Sequence, residues 1–518
     1  MTLRFINQMF YACGLVLCAC VAPGGVAAVG NAKNEVSAQN DPAARYPGKV
    51  IATIGAVAFR ECEVSNVEHR RIVQCAEVSV PEDPENPDAE SITLRVVRLV
   101  ARDGNARAAP LLAIAGGPGQ AASEAFLFLD RILRGVARDR DFYLVDQRGT
   151  GGSNPQRCDL GDEALMQVES DAEQIRAVTR QCLAGFNGDP TLYTTSVAIR
   201  DLERVRRALG VPRWHLFGVS YGTRVVQHYL RQHPQVVRTA VMDSVVPATE
   251  ALGPEIALRS QQALDAFIAR CEADTACRDA FPDISTGLSN LLARLGEASE
   301  SVRFENMRTG GAETMRFTQA HLIGVLRLSL YQSEKLSTLP PMLHQAYAEA
   351  NFIALARTAQ AITEQMAESL AVGMHNSVVC TEDVPFFAMD KQKRSAIENS
   401  YMGDLVVRAL EATCEVWPRG RMDEALRLPV TADVPVLLLS GDADPITPPA
   451  YAEAVLAHLP DARHLVAPGQ GHFVSPRGCL PGVIAQFIGS DGAATLATDC
   501  LERMQPAPLF VNVNGPTP

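Results

Sequence analysis

The pentad Gly218-Val219-Ser220-Tyr221-Gly222 stands directly after the apolar run Trp214-His215-Leu216-Phe217 and opens a stretch of helical periodicity from Tyr221 to Arg231. A strand that turns at once into a helix forces strained backbone on its turn residue, and flanking glycines let the neighbouring segments approach without a Cβ clash. The serine hydroxyl is thereby pushed out over the sheet, where a nucleophile is wanted. A pentad of this form should arise by chance in about one chain in seven of this length, so its surroundings decide its meaning.

Those surroundings alternate. Strand-like segments run over 50–59, 71–80 and 91–101, the last with alternating Leu94, Val96 and Leu99. Short buried strands are expected at 111–115, 142–145, 237–242 and 434–439, with a further short strand at 464–466. Helical patterns at 121–136, 197–209, 221–231, 451–458 and 481–488 separate them. Apolar strands alternating with amphipathic helices predict an α/β fold, a mainly parallel sheet with helices on both faces. From 251 to 428 the alternation stops and helical patterns dominate, at 256–273, 317–330 and 343–366. A loop of that length needs its own structure, so a helical cap inserted into one sheet is expected. The resulting division is a signal peptide at 1–28, a linker at 29–48, a first core part at 49–250, the cap at 251–428 and a second core part at 429–518.

The first residues carry Arg4, an apolar run from Met9 to Val21 and the small-residue stretch Pro23 to Gly30, the pattern of a secretory signal cleaved near Ala27 or Ala28. The run is short for a membrane span of ~20 residues, so the mature chain is expected to carry no transmembrane segment. Leu17-Cys18-Ala19-Cys20 offers a lipidated Cys20 as the alternative. Export gives meaning to the cysteines outside that segment: Cys62, Cys75, Cys158, Cys182, Cys271, Cys277, Cys380, Cys414, Cys479 and Cys500. An even set in an exported chain suggests disulfides. Their connectivity does not follow from sequence, and pairing of chain neighbours is the simplest assumption. The net charge of −12 leaves no basic stripe to neutralise phosphates, which excludes a nucleic-acid partner. Neither Cys-x-x-Cys nor His-Glu-x-x-His occurs, and no metal or cofactor is expected.

Serine is a poor nucleophile until a base takes its proton, and that base needs a carboxylate to fix its tautomer. In sheets of this kind the acid and the histidine follow the serine on later loops. His472, in Pro468-Gly469-Gln470-Gly471-His472, is the loop histidine after the resumed sheet, whereas His458 falls in a helix and His464 at a strand start. The acid is expected in Gly441-Asp442-Ala443-Asp444-Pro445. Either aspartate could reach; Asp444 is preferred because Pro445 fixes the adjacent backbone. Two amides must hold the oxyanion of a tetrahedral intermediate. Tyr221 supplies one, and Gly117 of Gly116-Gly117-Pro118-Gly119 is expected to supply the other. The charged Asp146-Gln147-Arg148 is read as a buried pair bracing its loop rather than as chemistry.

Together Gly-Gly-Pro-Gly, Asp-Gln-Arg-Gly-Thr-Gly-x-Ser, Gly-x-Ser-Tyr-Gly-Thr, Gly-x-x-Asp-Pro-Ile-Thr-Pro and Gly-x-Gly-His resemble the secreted alpha/beta-hydrolase peptidases, in particular the tripeptidyl aminopeptidases and the related proline iminopeptidases. The likeness runs from about Cys75 to Phe487. Ala115 departs from it, since proline iminopeptidases have a histidine before the glycines. The resemblance implies an alpha/beta-hydrolase fold, the position of Asp444 as the acid, a cap disulfide flanked by Val379-Cys380-Thr381-Glu382-Asp383 and Cys414-Glu415-Val416-Trp417-Pro418, and removal of short N-terminal units from peptides. A carboxylate must then neutralise the substrate ammonium, and Glu382 and Asp383 are the candidates. An esterase acting on small acyl esters would need only the same triad.

Overall fold

The computed structural model describes residues 46, 48–66, 69–86, 88, 90–104, 106–158, 172–492 and 495–516. The expected signal segment, Cys20 and nearly all of the expected linker lie outside them.

Ten strands form one sheet: β1 (Val50–Ile54), β2 (Val57–Ser65), β3 (Arg70–Pro81), β4 (Ser91–Leu99), β5 (Leu111–Ile114), β6 (Phe142–Val145), β7 (Trp214–Val219), β8 (Val237–Asp243), β11 (Val436–Gly441) and β12 (Ala462–Ala467), in spatial order β1-β2-β3-β4-β6-β5-β7-β8-β11-β12. The first four are antiparallel, β4 meets β6 antiparallel, and the rest run parallel. β5, β6, β7 and β11 are buried at every residue, as strands covered on both faces must be. One apolar cluster joins the sheet to the helices Thr195–Ala208 and Tyr221–Gln232, and a second joins its other face to Leu129, Leu133 and the helix Leu480–Gly489. This is the alpha/beta-hydrolase fold, and β7 lies near the centre of the sheet.

Between β8 and β11 the chain forms a run of helices with its own apolar cluster, containing Leu264, Phe267, Leu326 and Leu343. That stretch also holds a hairpin the sequence reading missed, β9 (Glu300–Glu305) with β10 (Ala312–Phe317). Its inward residues Val302, Phe304, Met315 and Phe317 alternate along the strands. Three expected elements are broken. The strand expected over 50–59 is a hairpin turned at Gly55, where φ is +58°. The helix expected over 121–136 is two single turns, Ala122–Ala125 and Leu129–Ile132, because Arg71 takes the Leu127 carbonyl at 2.7 Å and grips Asp130 with both terminal nitrogens. The helix expected over 343–366 is interrupted at Ala350, with φ +52°, and continues as Ile353–Ser369.

Among the described residues all ten cysteines pair with their chain neighbours: Cys62–Cys75, Cys158–Cys182, Cys271–Cys277, Cys380–Cys414 and Cys479–Cys500. Among the described residues no helix is long and apolar enough to cross a membrane.

Candidate active site

Ser220 sits where β7 breaks into the helix Tyr221–Gln232, at φ +57° and ψ −127°. Few non-glycine residues tolerate that region, and it persists only where the surroundings over-determine it. They do so here: the Ser220 amide donates to the Asp243 carbonyl at 3.0 Å, and a Cβ on Gly222 would run into the Ile114 carbonyl. Glycine is therefore required for the helix to pass so close to β5.

The same Asp243 reaches the histidine loop. Its carboxylate accepts the Val474 amide at 3.1 Å, the Ser475 amide at 2.6 Å and the Ser475 hydroxyl at 2.5 Å, while Ser244 Oγ accepts the Phe473 amide at 2.8 Å. The end of β8 thus ties Ser220 and the segment after His472 to one point. From above, the His472 amide donates to the Tyr331 carbonyl at 2.8 Å and the two rings meet edge to face, with centroids 5.2 Å apart.

Of the two candidate aspartates, Asp444 reaches the histidine. Its Oδ2 lies 2.8 Å from His472 Nδ1 and accepts the Thr447 hydroxyl at 2.6 Å, while Oδ1 accepts the amides of Ile446 and Thr447, both at 2.9 Å. Thr447 Oγ1 is also 3.2 Å from Nδ1 of His472. Burial alone would raise the Asp444 carboxyl, but the His472 charge and these hydrogen bonds outweigh it and hold the group below its usual range. Burial likewise depresses His472, and Asp444 more than compensates, so the imidazole lies above its ordinary value. Asp442 instead accepts the Gly469 amide at 2.6 Å and braces the turn. Sequence reasoning did not single out Thr447. Its signal was legible in Asp444-Pro445-Ile446-Thr447, an aspartate turn in which the third residue on can return both an amide and a hydroxyl.

The glycine loop leaves β5 beside the serine. A Cβ on Gly116 would stand 3.0 Å from that of Ser220, and Gly117 and Gly119 have φ of +105° and +108°. Among the described residues neither the Gly117 amide nor the Tyr221 amide donates a hydrogen bond to the protein. Gly117 is exposed and Tyr221 is the first residue of its helix, where an amide has no intrahelical acceptor, so both amides are open to an external oxygen. The helix Val372–Glu382 clamps the loop. The Ala371 amide donates to Gly119 O at 2.9 Å, and His375 Nδ1 lies 3.1 Å from Pro118 O.

Glu382 and Asp383 do not present free carboxylates. Both have fully buried side chains. Asp383 is gripped by Arg224 at 2.9 and 3.2 Å and takes the Leu252 amide at 2.8 Å. Glu382 accepts the Thr195 amide at 2.7 Å and the Thr195 hydroxyl at 2.8 Å, and Thr195 Oγ1 lies 2.6 Å from the Tyr221 hydroxyl. Burial, against the pull of Arg224, leaves the Glu382 carboxyl at about 7. The expectation that this pair neutralises a substrate ammonium is corrected: the sequence offered two acids near a disulfide but could not place Arg224, four residues past the nucleophile, between them. The Asp146/Arg148 expectation is also amended. Both are buried braces, but with other partners: Asp146 holds Arg95, Ser123 and the Gly152 amide, and Arg148 grips Asp201 at 2.6 and 2.9 Å.

This fold and site define a serine hydrolase of the alpha/beta-hydrolase type. A family profile described as "alpha/beta hydrolase fold" matches residues 109–308, and one described as "TAP-like protein" matches residues 399–499. The chain is 28% identical over 225 residues to the serine protease Hip1 of Mycobacterium tuberculosis, covering 39% of this chain and 42% of that protein. It is 32% identical over 198 residues to the tripeptidyl aminopeptidase of Streptomyces lividans, covering 34% and 35%. The putative hydrolase YuaR of Escherichia coli aligns over 430 residues at 23% identity, covering 78% and 83%. The matches to Hip1 and the aminopeptidase thus span less than half of either protein's length. The chain resembles the tripeptidyl aminopeptidase and proline iminopeptidase group of alpha/beta-hydrolase peptidases.

Proposed function

We propose that the protein is an exported serine peptidase that releases short N-terminal units from peptides through an acyl-enzyme on Ser220. The observation that carries this reading is the convergence at the end of β8, where Asp243 holds Ser220 through its carbonyl and the residues after His472 through its carboxylate. His472 takes the Ser220 proton as Oγ attacks the scissile carbonyl, and Asp444, bonded to Nδ1, fixes the tautomer that leaves Nε2 as the basic nitrogen. The amides of Tyr221 and Gly117 hold the oxyanion, each contributing roughly 3 kcal/mol to lowering the barrier. His472 then protonates the leaving amine, and water releases the acyl unit by the same steps in reverse. The helices between β8 and β11 act as a cap that bounds the cleft. Five disulfides support export, because such bonds persist in oxidising compartments.

The test compares the purified protein with its Ser220→Ala variant on peptides with free and blocked N-termini and on simple esters. Ser220-dependent release of N-terminal units supports the reading. Ser220-dependent ester cleavage with every peptide untouched would replace it with the esterase reading.

A further inference from the structure

We infer that Gln470 is a positioning residue for His472, held by the C-terminal residues 500–511, which act as a strap from the core to the cap across the histidine loop. The inference rests on His472 being the base for Ser220, whether the bond broken is an amide or an ester.

The strap starts on the core, where Cys500 is bonded to Cys479, the residue before the helix Leu480–Gly489. It ends on the cap. Leu509 is buried in the same apolar cluster as Leu326 and Leu343, the Phe510 amide donates to the Ser337 carbonyl at 2.9 Å, and Arg270 donates to the Ala507 carbonyl. Midway it meets the loop that carries His472. Gln470 is buried, and its Nε2 donates to the Gln505 carbonyl at 3.1 Å and to the Pro468 carbonyl at 3.3 Å. A side-chain amide nitrogen has two protons, so both are spent, one on the strap and one on the start of the loop. Beside it Gly469 has φ +66°, and a Cβ there would stand 2.5 Å from Pro506.

The helix Ser333–Ser337 closes the circuit. The Ser333 hydroxyl donates to the Gly469 carbonyl at 2.9 Å, the Glu334 carboxylate accepts both terminal nitrogens of Arg477, and Ser337 takes the Phe510 amide. Loop, helix and strap come from three distant parts of the chain and hold one another in a ring, with His472 two residues after Gln470. Loop and strap leave an open cavity of about 430 Å³, lined by Gln470, Arg477, Cys479, Cys500, Arg503 and Gln505. Filled packing does not join them there, so the direct link falls to Gln470 and to Pro506 against Gly469. Without the Gln470 bond the loop keeps its ties to the cap helix and loses the one that the strap supplies. Nε2 of His472 has to come within hydrogen-bond reach of the Ser220 hydroxyl, and misplacement by about 1 Å can cost on the order of 100-fold.

The experiment measures kcat and KM on 4-nitrophenyl acetate, together with the rate at which a fluorophosphonate labels Ser220, at a temperature where circular dichroism shows every variant folded. Both reactions draw on the base without needing a particular peptide. Gln470→Met keeps the bulk of the side chain and removes both donors. It should lower kcat and the labelling rate by roughly 10- to 100-fold and leave KM nearly unchanged. Leu509→Ala loosens the strap at its cap end and should lower kcat in the wild-type background. In the Gln470→Met background it should change nothing further, because the path is already cut, whereas independent sites would show losses that multiply. A lower melting temperature with kcat and labelling intact in Gln470→Met, or losses that multiply, overturns the inference. Should Leu509→Ala fail to fold, Gln470→Met decides alone through its split between kcat and KM. His472→Ala keeps the two readings apart. Rates that survive it sink the triad itself; rates abolished by it, with Gln470→Met as fast as wild type, sink the strap alone.

Discussion

Nδ1 of His472 lies 2.8 Å from Oδ2 of Asp444, on a carboxylate whose other oxygen is filled by the amides of Ile446 and Thr447. The aspartate is held by its own turn through three further bonds, so the acceptor that orients the ring is itself fixed in place. Replacing Asp444 by Asn removes the charge and allows the amide nitrogen to face Nδ1, which favours the wrong tautomer. The expected loss in kcat is on the order of 10⁴-fold, as for the equivalent change in other triads. Single-turnover acylation by a chromogenic ester reads this directly, and a loss under tenfold would remove Asp444 from the machinery.

The same pair sets the pH dependence. The His472 imidazole lies above its ordinary value because Asp444 outweighs burial. Its attraction therefore stabilises the fold fully below the unfolded value of about 6.5 and is lost as pH rises through the higher folded value. Asp444 is depressed, so its share is present above its unfolded value of about 3.9 and is lost as pH falls through the lower folded one. The base must be neutral to act, so the acidic limb of the kcat/KM profile should sit above pH 6.5. In Asp444→Asn burial is opposed only by the Asp243 charge, the smallest of the influences on the ring, and the limb should move down. A profile whose limb stays put in that variant contradicts the assignment.

Much of this site was legible because its parts are local. Strand, tight turn and helix around Ser220 are one contiguous pattern, and the loops bearing Asp444 and His472 are marked by glycine and proline beside apolar runs. What was hidden depends on partners far apart in the chain. Nothing near Asp243 announces that its carboxylate holds Val474 and Ser475, and nothing near Glu382 and Asp383 announces Arg224 or Thr195. The broken helix after the glycine loop has the same cause: its periodicity was sound, but Arg71, from β3, claims a carbonyl that a continuous helix would use. The β9–β10 hairpin was missed although its alternation was present, because helical patterns on both sides dominated the reading.

Arg224 and Asp383 are fully buried and joined at 2.9 Å. Removing one partner of such a pair leaves an uncompensated charge, so Asp383→Asn should cost roughly 3–5 kcal/mol of stability, while the double change Asp383→Asn, Arg224→Met should recover part of it. Denaturant titration of the three variants checks this, and additive losses would deny the coupling. Glu382→Gln bears on the corrected role. It should alter activity on free-amine and N-blocked peptides by the same factor, because the Glu382 carboxylate is fully buried and bonded to Thr195. A rise in KM confined to free-amine peptides would restore the amine-binding role.

The Cys380–Cys414 bond joins the helix that clamps the glycine loop to the helix Leu405–Cys414, across a sequence separation of 34. By the loop-entropy estimate its removal should destabilise the fold by roughly 3–4 kcal/mol. Changing both cysteines to alanine should therefore lower the melting temperature, with Ser220 still labelled by a fluorophosphonate at temperatures where the variant stays folded. Unchanged melting would mean that packing alone carries the Val372–Glu382 helix.

The histidine loop is pressed against the helical layer by a contact that admits no side chain. A Cβ on Gly471 would run into the carbonyl oxygen of Tyr331, the acceptor of the His472 amide. Gly471→Ala must therefore push the loop and Tyr331 apart, lengthening that bond while leaving Ser220, His472 and Asp444 chemically intact. Misplacement of a catalytic group by about 1 Å can cost on the order of 100-fold. The expected result is a fall of that size in kcat, with a smaller change in KM and an acidic limb that keeps its place, since the contact with Asp444 survives. Equal rates in wild type and Gly471→Ala would mean that Tyr331 does not position the histidine, and that the ties to Asp243 and Ser244 suffice.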